Sequence, residues 1–400
     1  MLKRASLILL VIVVATYFFV IPGLVARTMN GVTERPPYVF DEADIKTHEG
    51  LDIVDLHADT LLWERNPARR GTTGHVDLPR LLEAGLTLQV FSAVTKTPRG
   101  LNFERNTADS DNVTSLVIAQ RWPLRTFGDL TERALYQSER LHRLRDEANG
   151  SFVIVKSRAD LARLLSLHRH ERTVGGLLAI EGMHAIDGDL SNLKRLYDAG
   201  YRMMGLTHFF DNAIGGSAHG EMKRGLTGFG RTAIVEMERL GIVVDLAHAS
   251  PALIDDVLAI ATHPVVVSHT GVKGTCDRTR NLDDERLRAI ATNGGLIGIA
   301  YFPEAVCGSG PDAIAEAIAY TIDLIGIGHV ALGSDFDGAV TTPFDVTGLP
   351  LLWGALERAG LTRAEISAVA GGNALALLQR VLPPRQHRGR CPRPSRRATD

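Results

Sequence analysis

The sequence predicts an α/β fold: a (β/α)8 TIM-type barrel with a helical insertion after the second strand, preceded by a single N-terminal transmembrane helix. Three observations carry this expectation. Eight short runs rich in Val, Ile and Leu recur between residues 51 and 382, as strands buried on both faces of a parallel sheet require. Segments with helical periodicity and stop signals alternate with them. An uncharged stretch over residues 5–26 opens the chain.

That opening stretch follows Lys3 and Arg4 and is closed by Arg27. It is long enough to cross ~30 Å of hydrocarbon as a helix. A signal peptide cut after Ala26 competes with an uncleaved anchor over residues 1–27. Leu24 is a poor match to the small residue needed three positions before the cut, and the apolar run exceeds a usual signal core. Both points favour the anchor. Cations ahead of the span keep the N-terminus in the cytoplasm and put the remainder outside, in a periplasmic or extracellular setting. Residues 28–50, polar and containing Pro36-Pro37, read as a tether.

The strand-like runs are 53–56, 86–94, 176–180, 202–207, 242–247, 265–268, 296–300 and 330–333. Residues 190–199 read as a helix, with Leu193 and Leu196 on one side and Lys194, Arg195 and Asp198 elsewhere. Residues 230–240 read as another, stopped by Gly241. A third, 251–261, starts with Pro251 behind Ser250 as N-cap. The interval 95–174 is the insertion, mostly helical, with one strand-like piece at 152–155. Eight strand–helix alternations make a barrel over 51–382. The tail, 383–400, is proline- and arginine-rich, too poor in apolar residues to fold, and is expected to be disordered.

Composition narrows the function. Apolar residues make up 45% and charged residues 22%, as in an ordinary globular protein. A net charge of -2 argues against nucleic acid as a partner, because phosphate binding needs a cationic surplus. The three cysteines, Cys276, Cys307 and Cys391, form no CxxC pair, so a structural zinc finger is not expected. On spacing alone, a Cys276–Cys307 disulfide and two buried free thiols both stand.

The ends of the runs carry the chemistry. The first stops at His57-Ala58-Asp59, the third at Glu181, the fourth at His208, the fifth at His248, the sixth at His269 and the eighth at Asp335. Strand C-termini of a barrel meet at one rim, where its active site lies. Four histidines and three carboxylates should therefore converge. His57 and Asp59 are two apart and point the same way on an extended chain. They offer a nitrogen and an oxygen to one cation. Glu181 has two oxygens and can bridge two cations, with His248 and His269 completing a second position. Two metals ~3.5–4 Å apart hold a bridging hydroxide and polarise a carbonyl. A lone histidine after a strand is more often structural; the set is what points to metal. His75, His168 and His263 fall outside the pattern and read as structural or surface residues. His184 lies past the turn and reads as a loop hydrogen-bonding residue.

Several segments together resemble the membrane dipeptidase family, also called renal dipeptidases, peptidase family M19. They are Asp55-Leu56-His57-Ala58-Asp59, Gly74-His75-Val76-Asp77-Leu78-Pro79-Arg80, Ile180-Glu181-Gly182-Met183-His184, Leu206-Thr207-His208, Val244-Asp245-Leu246-Ala247-His248, Val267-Ser268-His269, Arg280-Asn281 and Gly333-Ser334-Asp335-Phe336-Asp337-Gly338. The likeness runs from about Asp52 to Gln379. It implies two Zn2+ ions, one on His57, Asp59 and Glu181, the other on Glu181, His248 and His269. It implies that His208 contacts the substrate carbonyl, that Arg280 pairs with the substrate's C-terminal carboxylate, and that Asp335 shuttles the proton. It also implies a Cys276–Cys307 bridge. Asp337 reads as a supporting residue. Met183, Leu86-Thr87 and Phe209-Phe210 depart from the family pattern without touching a ligand, which leaves the pocket's shape open.

The resulting expectation is a membrane-anchored binuclear zinc dipeptidase, with a homodimer left open. Two alternatives are carried beside it. One is a related binuclear amidohydrolase acting on N-acyl amino acids or lactones. The other is a non-enzymatic surface-binding protein on a retired barrel, which the retention of every candidate ligand opposes.

Overall fold

All eight apolar runs form strands. The structure, a computed structural model, describes residues 2–385. In chain order the strands are β1 (Gly31–Val32), β2 (Ile53–Ala58), β3 (Leu86–Val94), β4 (Phe152–Ile154), β5 (Val174–Glu181), β6 (Tyr201–Gly205), β7 (Val243–Asp245), β8 (Val266–Thr270), β9 (Leu296–Ile299), β10 (Val330–Leu332) and β11 (Thr341–Thr342). Strands β2, β3, β5, β6, β7, β8, β9 and β10 pair in parallel, each with the next. The ring closes where Leu332 of β10 pairs with Asp55 of β2. The result is a closed eight-stranded parallel barrel.

The barrel explains the unbroken apolar runs. Every residue of β2, β3, β5 and β6 is buried. Alternate residues such as Val54 and Leu56, or Leu88 and Val90, share one cluster with Leu377 and Val381 of the last helix, Asn373–Val381. That helix packs near the strands' starting ends: Arg380 donates to the Gly294 carbonyl at 3.1 Å, just ahead of β9. The other face of the strands packs against the surrounding helices.

The three predicted helices form as Leu190–Ala199, Gly228–Leu240 and Pro251–Leu258. Leu193 and Leu196 are fully buried, and the Ser250 hydroxyl accepts from the Leu253 N–H at 3.1 Å as the N-cap. The insertion after β3 is helical over Val113–Ala119, Leu130–Glu147 and Arg158–Glu171. Its strand, β4, lies along the first residues of β5, and β6 takes the same edge further on.

The N-terminus corrects one expectation. Residues 1–27 do not form a single transmembrane helix. Two helices, α1 (Leu2–Phe19) and α2 (Ile21–Met29), meet at a 40° bend; among the described residues no single helix is long and apolar enough to cross a membrane, and only the bent pair together meets that test. Pro22 is the cause. It has no N–H for the carbonyl four residues back, Phe18. The guanidinium of Arg121 donates to that carbonyl instead.

The segment read as a tether also carries structure. β1 pairs in parallel with β11, and the Trp353 indole donates to His48 at 2.9 Å, fastening the helix Glu42–His48 to the barrel. Polar composition concealed this, because backbone pairing needs no apolar side chains. Of the tail expected to be disordered, residues 386–400 lie outside the described residues.

Leu196→Ala should lower the unfolding free energy by ~2–5 kcal/mol, the usual cost of a cavity of that size in a tight core. A denaturant midpoint unchanged from wild type would contradict the packing described for Leu190–Ala199.

Candidate metal centre

Parallel strands all end on one side of a barrel, and the predicted site residues sit at those ends. His57 lies in β2 and Asp59 directly after it; Glu181 is the last residue of β5; His269 is in β8. His208, His248 and Asp335 each follow their strand by three residues, and Arg280 comes from the loop after β8. The structure brings all eight together.

Glu181 is the hub. Its Oε1 lies 3.1 Å from His248 Nε2, 3.5 Å from His269 Nε2 and 3.7 Å from His57 Nε2. Its Oε2 lies 3.4 Å from His208 Nε2. His57 Nε2 is also 3.4 Å from Asp59 Oδ1 and 3.9 Å from Asp335 Oδ1. Three overlapping groups have their ligand atoms within 4.8 Å of one another: His57, Asp59 and Glu181; Glu181, His208 and His248; and His57, His269 and Asp335. The residues fit a divalent metal. The atoms His57 Nε2 and Asp59 Oδ1 are buried without a hydrogen-bond partner. The Nε2 atoms of His248 and His269 face each other at 2.9 Å, an arrangement a shared cation satisfies. Nitrogen and carboxylate oxygen donors at a closed carboxylate hub suit zinc.

Electrostatics point the same way. Burial, and then neighbouring Asp59, push Glu181 well above its usual range. Burial raises Asp335 to about 7, with Asp59 adding to it. Burial works against charge on His57, but Asp59 and Glu181 outweigh it and lift the imidazole to about 10. The field is therefore one that attracts positive charge. Burial first, then the neighbouring imidazoles and, for His248 and His269, Arg280, hold His208, His248 and His269 well below the usual value, which favours their neutral form. A neutral imidazole is the form that binds metal.

A layer behind the ligands aims them. The Ser268 hydroxyl lies 3.3 Å from His57 Nδ1 and 3.0 Å from His269 Nδ1, so both rings present Nε2 to the centre. Asp245 accepts from the N–H groups of Ala247 and Ser268, each at 2.9 Å. Asp55 accepts from the Ser334 N–H and hydroxyl and from Gln89, each at 2.7 Å. The sequence reading missed Asp55, Asp245 and Ser268 as site residues. A signal existed for the two acids: each interrupts an apolar strand two or three residues before a site histidine. Two glycines make room. Gly182 has φ 92°, and a Cβ there would stand 2.4 Å from the His184 ring. A Cβ on Gly338 would stand 2.0 Å from Asp335 Oδ1.

The turn bearing Asp335 is strained and clamped. Asp335 and Asp337 both have φ 62° and Ala339 has φ 59°, left-handed conformations that cost on the order of 1–3 kcal/mol each. The Asp337 carboxylate accepts from Thr60 and from the His75 N–H, each at 2.7 Å, and pairs with Arg65. The Asp337 N–H donates to His75 Nδ1 at 2.8 Å, while His75 Nε2 bonds the Gly31 carbonyl at 2.7 Å. His75 is thus structural, as read from sequence. His168 is too, bonding the Thr173 carbonyl at 3.0 Å, and His263 is a partly exposed surface residue. His184 differs from the expectation: neither ring nitrogen has a hydrogen-bond partner, and the ring packs on Phe210 at 4.8 Å. Its loop turns it inward, where burial lowers it to about 3.

A cavity of about 740 Å³ opens over the centre, bordered by Asp59, Glu181, His208, His248, Arg280 and Asp335. Arg280 is buried, lies over the Phe302 ring at 4.9 Å, and keeps Nε and Nη1 without partners. A buried guanidinium with two free N–H groups is a socket for a carboxylate. Cys276 and Cys307 are disulfide-bonded, with Cα atoms 5.4 Å apart.

Comparison with known proteins agrees with this geometry. The family model described as membrane dipeptidase (peptidase family M19) matches residues 44–387. The dipeptidase aclJ of Aspergillus oryzae is 30% identical over 354 residues, covering 82% of this chain and 78% of its own. Among solved structures, dipeptidase AC, a metallopeptidase of family M19, is 28% identical with a TM-score of 0.68, covering 84% of this chain and 99% of its own. A Rhodobacter sphaeroides metallopeptidase bound to a phosphinate mimic of the dipeptide L-Ala-D-Ala is 27% identical with a TM-score of 0.66, covering 83% and 99%. With its barrel, its buried histidine–carboxylate centre and a family match over most of its length, the chain belongs to the membrane dipeptidase family, peptidase family M19, and is a hydrolase of the metallo-dipeptidase class.

Proposed function

We propose that the protein is a membrane-anchored, binuclear zinc dipeptidase that hydrolyses the amide bond of dipeptides bearing a free C-terminal carboxylate. The observation that carries this is Glu181, whose one carboxylate lies within 3.1–3.7 Å of the Nε2 atoms of His57, His248 and His269 at the barrel rim. His57, Asp59 and Glu181 would hold one ion, and Glu181, His248 and His269 the other. Bound there, a pair of divalent cations supplies Lewis acidity toward a carbonyl and a water ionised near neutral pH.

The chain's own residues do the rest. Arg280 offers its free N–H groups to the substrate carboxylate, which fixes the amide over the centre. His208, neutral and at the cavity wall, donates a hydrogen bond to the carbonyl oxygen as negative charge develops there. Asp335 accepts the proton of the attacking water and returns it to the departing amine. Asp337 acts through Asp335, holding its strained turn by the contacts with Thr60, His75 and Arg65. The dipeptide mimic bound by the Rhodobacter sphaeroides relative supports this substrate class.

The N-terminus supports the proposed membrane attachment. Leu7 to Val14 are all 46–63% exposed, a continuous apolar surface that water does not favour. We propose that the apolar surface of α1 embeds in a bilayer while α2 packs against the barrel, with the cations Lys3 and Arg4 favouring the cytoplasmic side for the chain's start. The Cys276–Cys307 bridge supports an extracytoplasmic barrel.

Three outcomes test these roles. Asp335→Asn should keep wild-type zinc content by elemental analysis and lower kcat on a dipeptide by ~10²–10⁴-fold; full activity in that variant removes the proton-shuttle role. His248→Ala should lower bound zinc, whereas Asp337→Asn should lower kcat with KM and zinc content close to wild type. Arg280→Lys should raise KM through loss of bidentate pairing, by ~10-fold or more, and an unchanged KM would show that the carboxylate is held elsewhere.

A further inference from the structure

One wall of the substrate cavity comes from outside the barrel. Val25 and Met29, both on α2, line it beside Leu62, Val94 and Leu116. The helix is fixed at each end. At its C-terminus the Asn30 side chain donates to the Ala26 carbonyl at 3.0 Å and accepts from the Ala339 N–H at 3.0 Å, in the loop that follows Asp335. The pairing of β1 with β11 follows immediately. Just ahead of its N-terminus, at the end of α1, Arg121 holds the Phe18 carbonyl and lies over the Phe19 ring at 4.6 Å. Between them Ala26 is buried against the cluster of Trp63, Val113 and Val117. This is a docked wall, built into the same network that clamps the catalytic turn.

The polar centre reads only what all dipeptides share: an amide and a carboxylate. Discrimination between side chains falls to the apolar lining. A cavity of about 740 Å³ leaves room beside a small dipeptide. Met is unbranched and adapts its shape to an apolar partner. We propose that Val25 and Met29 are specificity-determining residues: they form the face that receives a bulky apolar substrate side chain and give the enzyme a preference for such dipeptides over those of glycine. The proposal rests on the dipeptidase reading above. It also ties activity to the N-terminal segment, because a cut after Ala26 would separate Val25 from Met29 and break the wall.

The test uses the full-length, zinc-loaded chain in detergent micelles, with Leu-Leu and Gly-Gly as substrates. Wild type should show a lower KM for Leu-Leu. Met29→Ala and Val25→Ser should each raise KM for Leu-Leu by ~10-fold, the scale set by lost apolar contact in a pocket, and leave Gly-Gly unchanged. Calorimetric Kd values for phosphinate isosteres of the two dipeptides should shift in the same pattern. Met29→Leu should restore the preference, and Leu24→Ala, an exposed residue of the same helix, should leave it intact. Equal changes for both substrates, or none, overturn the assignment of the wall alone. A wild-type chain that hydrolyses no dipeptide overturns the dipeptidase reading and the wall's role with it.

Discussion

Three buried carboxylates set the terms for this structure. Asp59, Glu181 and Asp335 crowd around the imidazole of His57 with almost no access to water. Removing an ion from water costs several kcal/mol, and like charges at this spacing repel one another. The protein pushes the ionisation of all three acids upward, and it lifts His57 toward the charged state. Divalent cations answer both needs at once. The donors' geometry and the field they create are therefore two views of one constraint.

The barrel makes the crowding sustainable. His57, His269 and the turn of Asp335 at the rim are backed by residues whose hydrogen bonds leave them little freedom. Ser268 serves two imidazoles, Asp245 holds the chain around Ser268, and Asp55 ties β2 to Ser334 beside the Asp335 turn. The strain at Asp335, Asp337 and Ala339 persists because Asp337 is gripped from several directions. Strand pairing positions the rim, and this second layer of hydrogen bonds fixes orientation within it.

The N-terminal segment joins the same network from the opposite side. Pro22 breaks the apolar stretch, Arg121 takes up the carbonyl thereby released, and α2 lies along the cavity instead of continuing α1. Asn30 and β1 then connect it to the loop beyond Asp337. A segment that reads in sequence as anchor and tether thus becomes part of the cavity's boundary.

Much of this was legible before any coordinates. The eight apolar runs, the helices between them and the rim residues His57, Asp59, Glu181, His208, His248, His269 and Asp335 follow from periodicity and from where each run stops, because both are local properties of the chain. The resemblance to a family added Arg280 and the disulfide. What remained hidden depends on contacts between distant residues. Nothing local says that Asp55 would accept from Ser334, that Asp337 would meet His75 and Arg65, that His184 would be buried without a partner, or that Val25 and Met29 would face the cavity. The order of residues determined which groups reach the rim; only closure of the barrel decided which of them touch, since a hydrogen bond or a buried charge exists only once both partners occupy the same few ångströms.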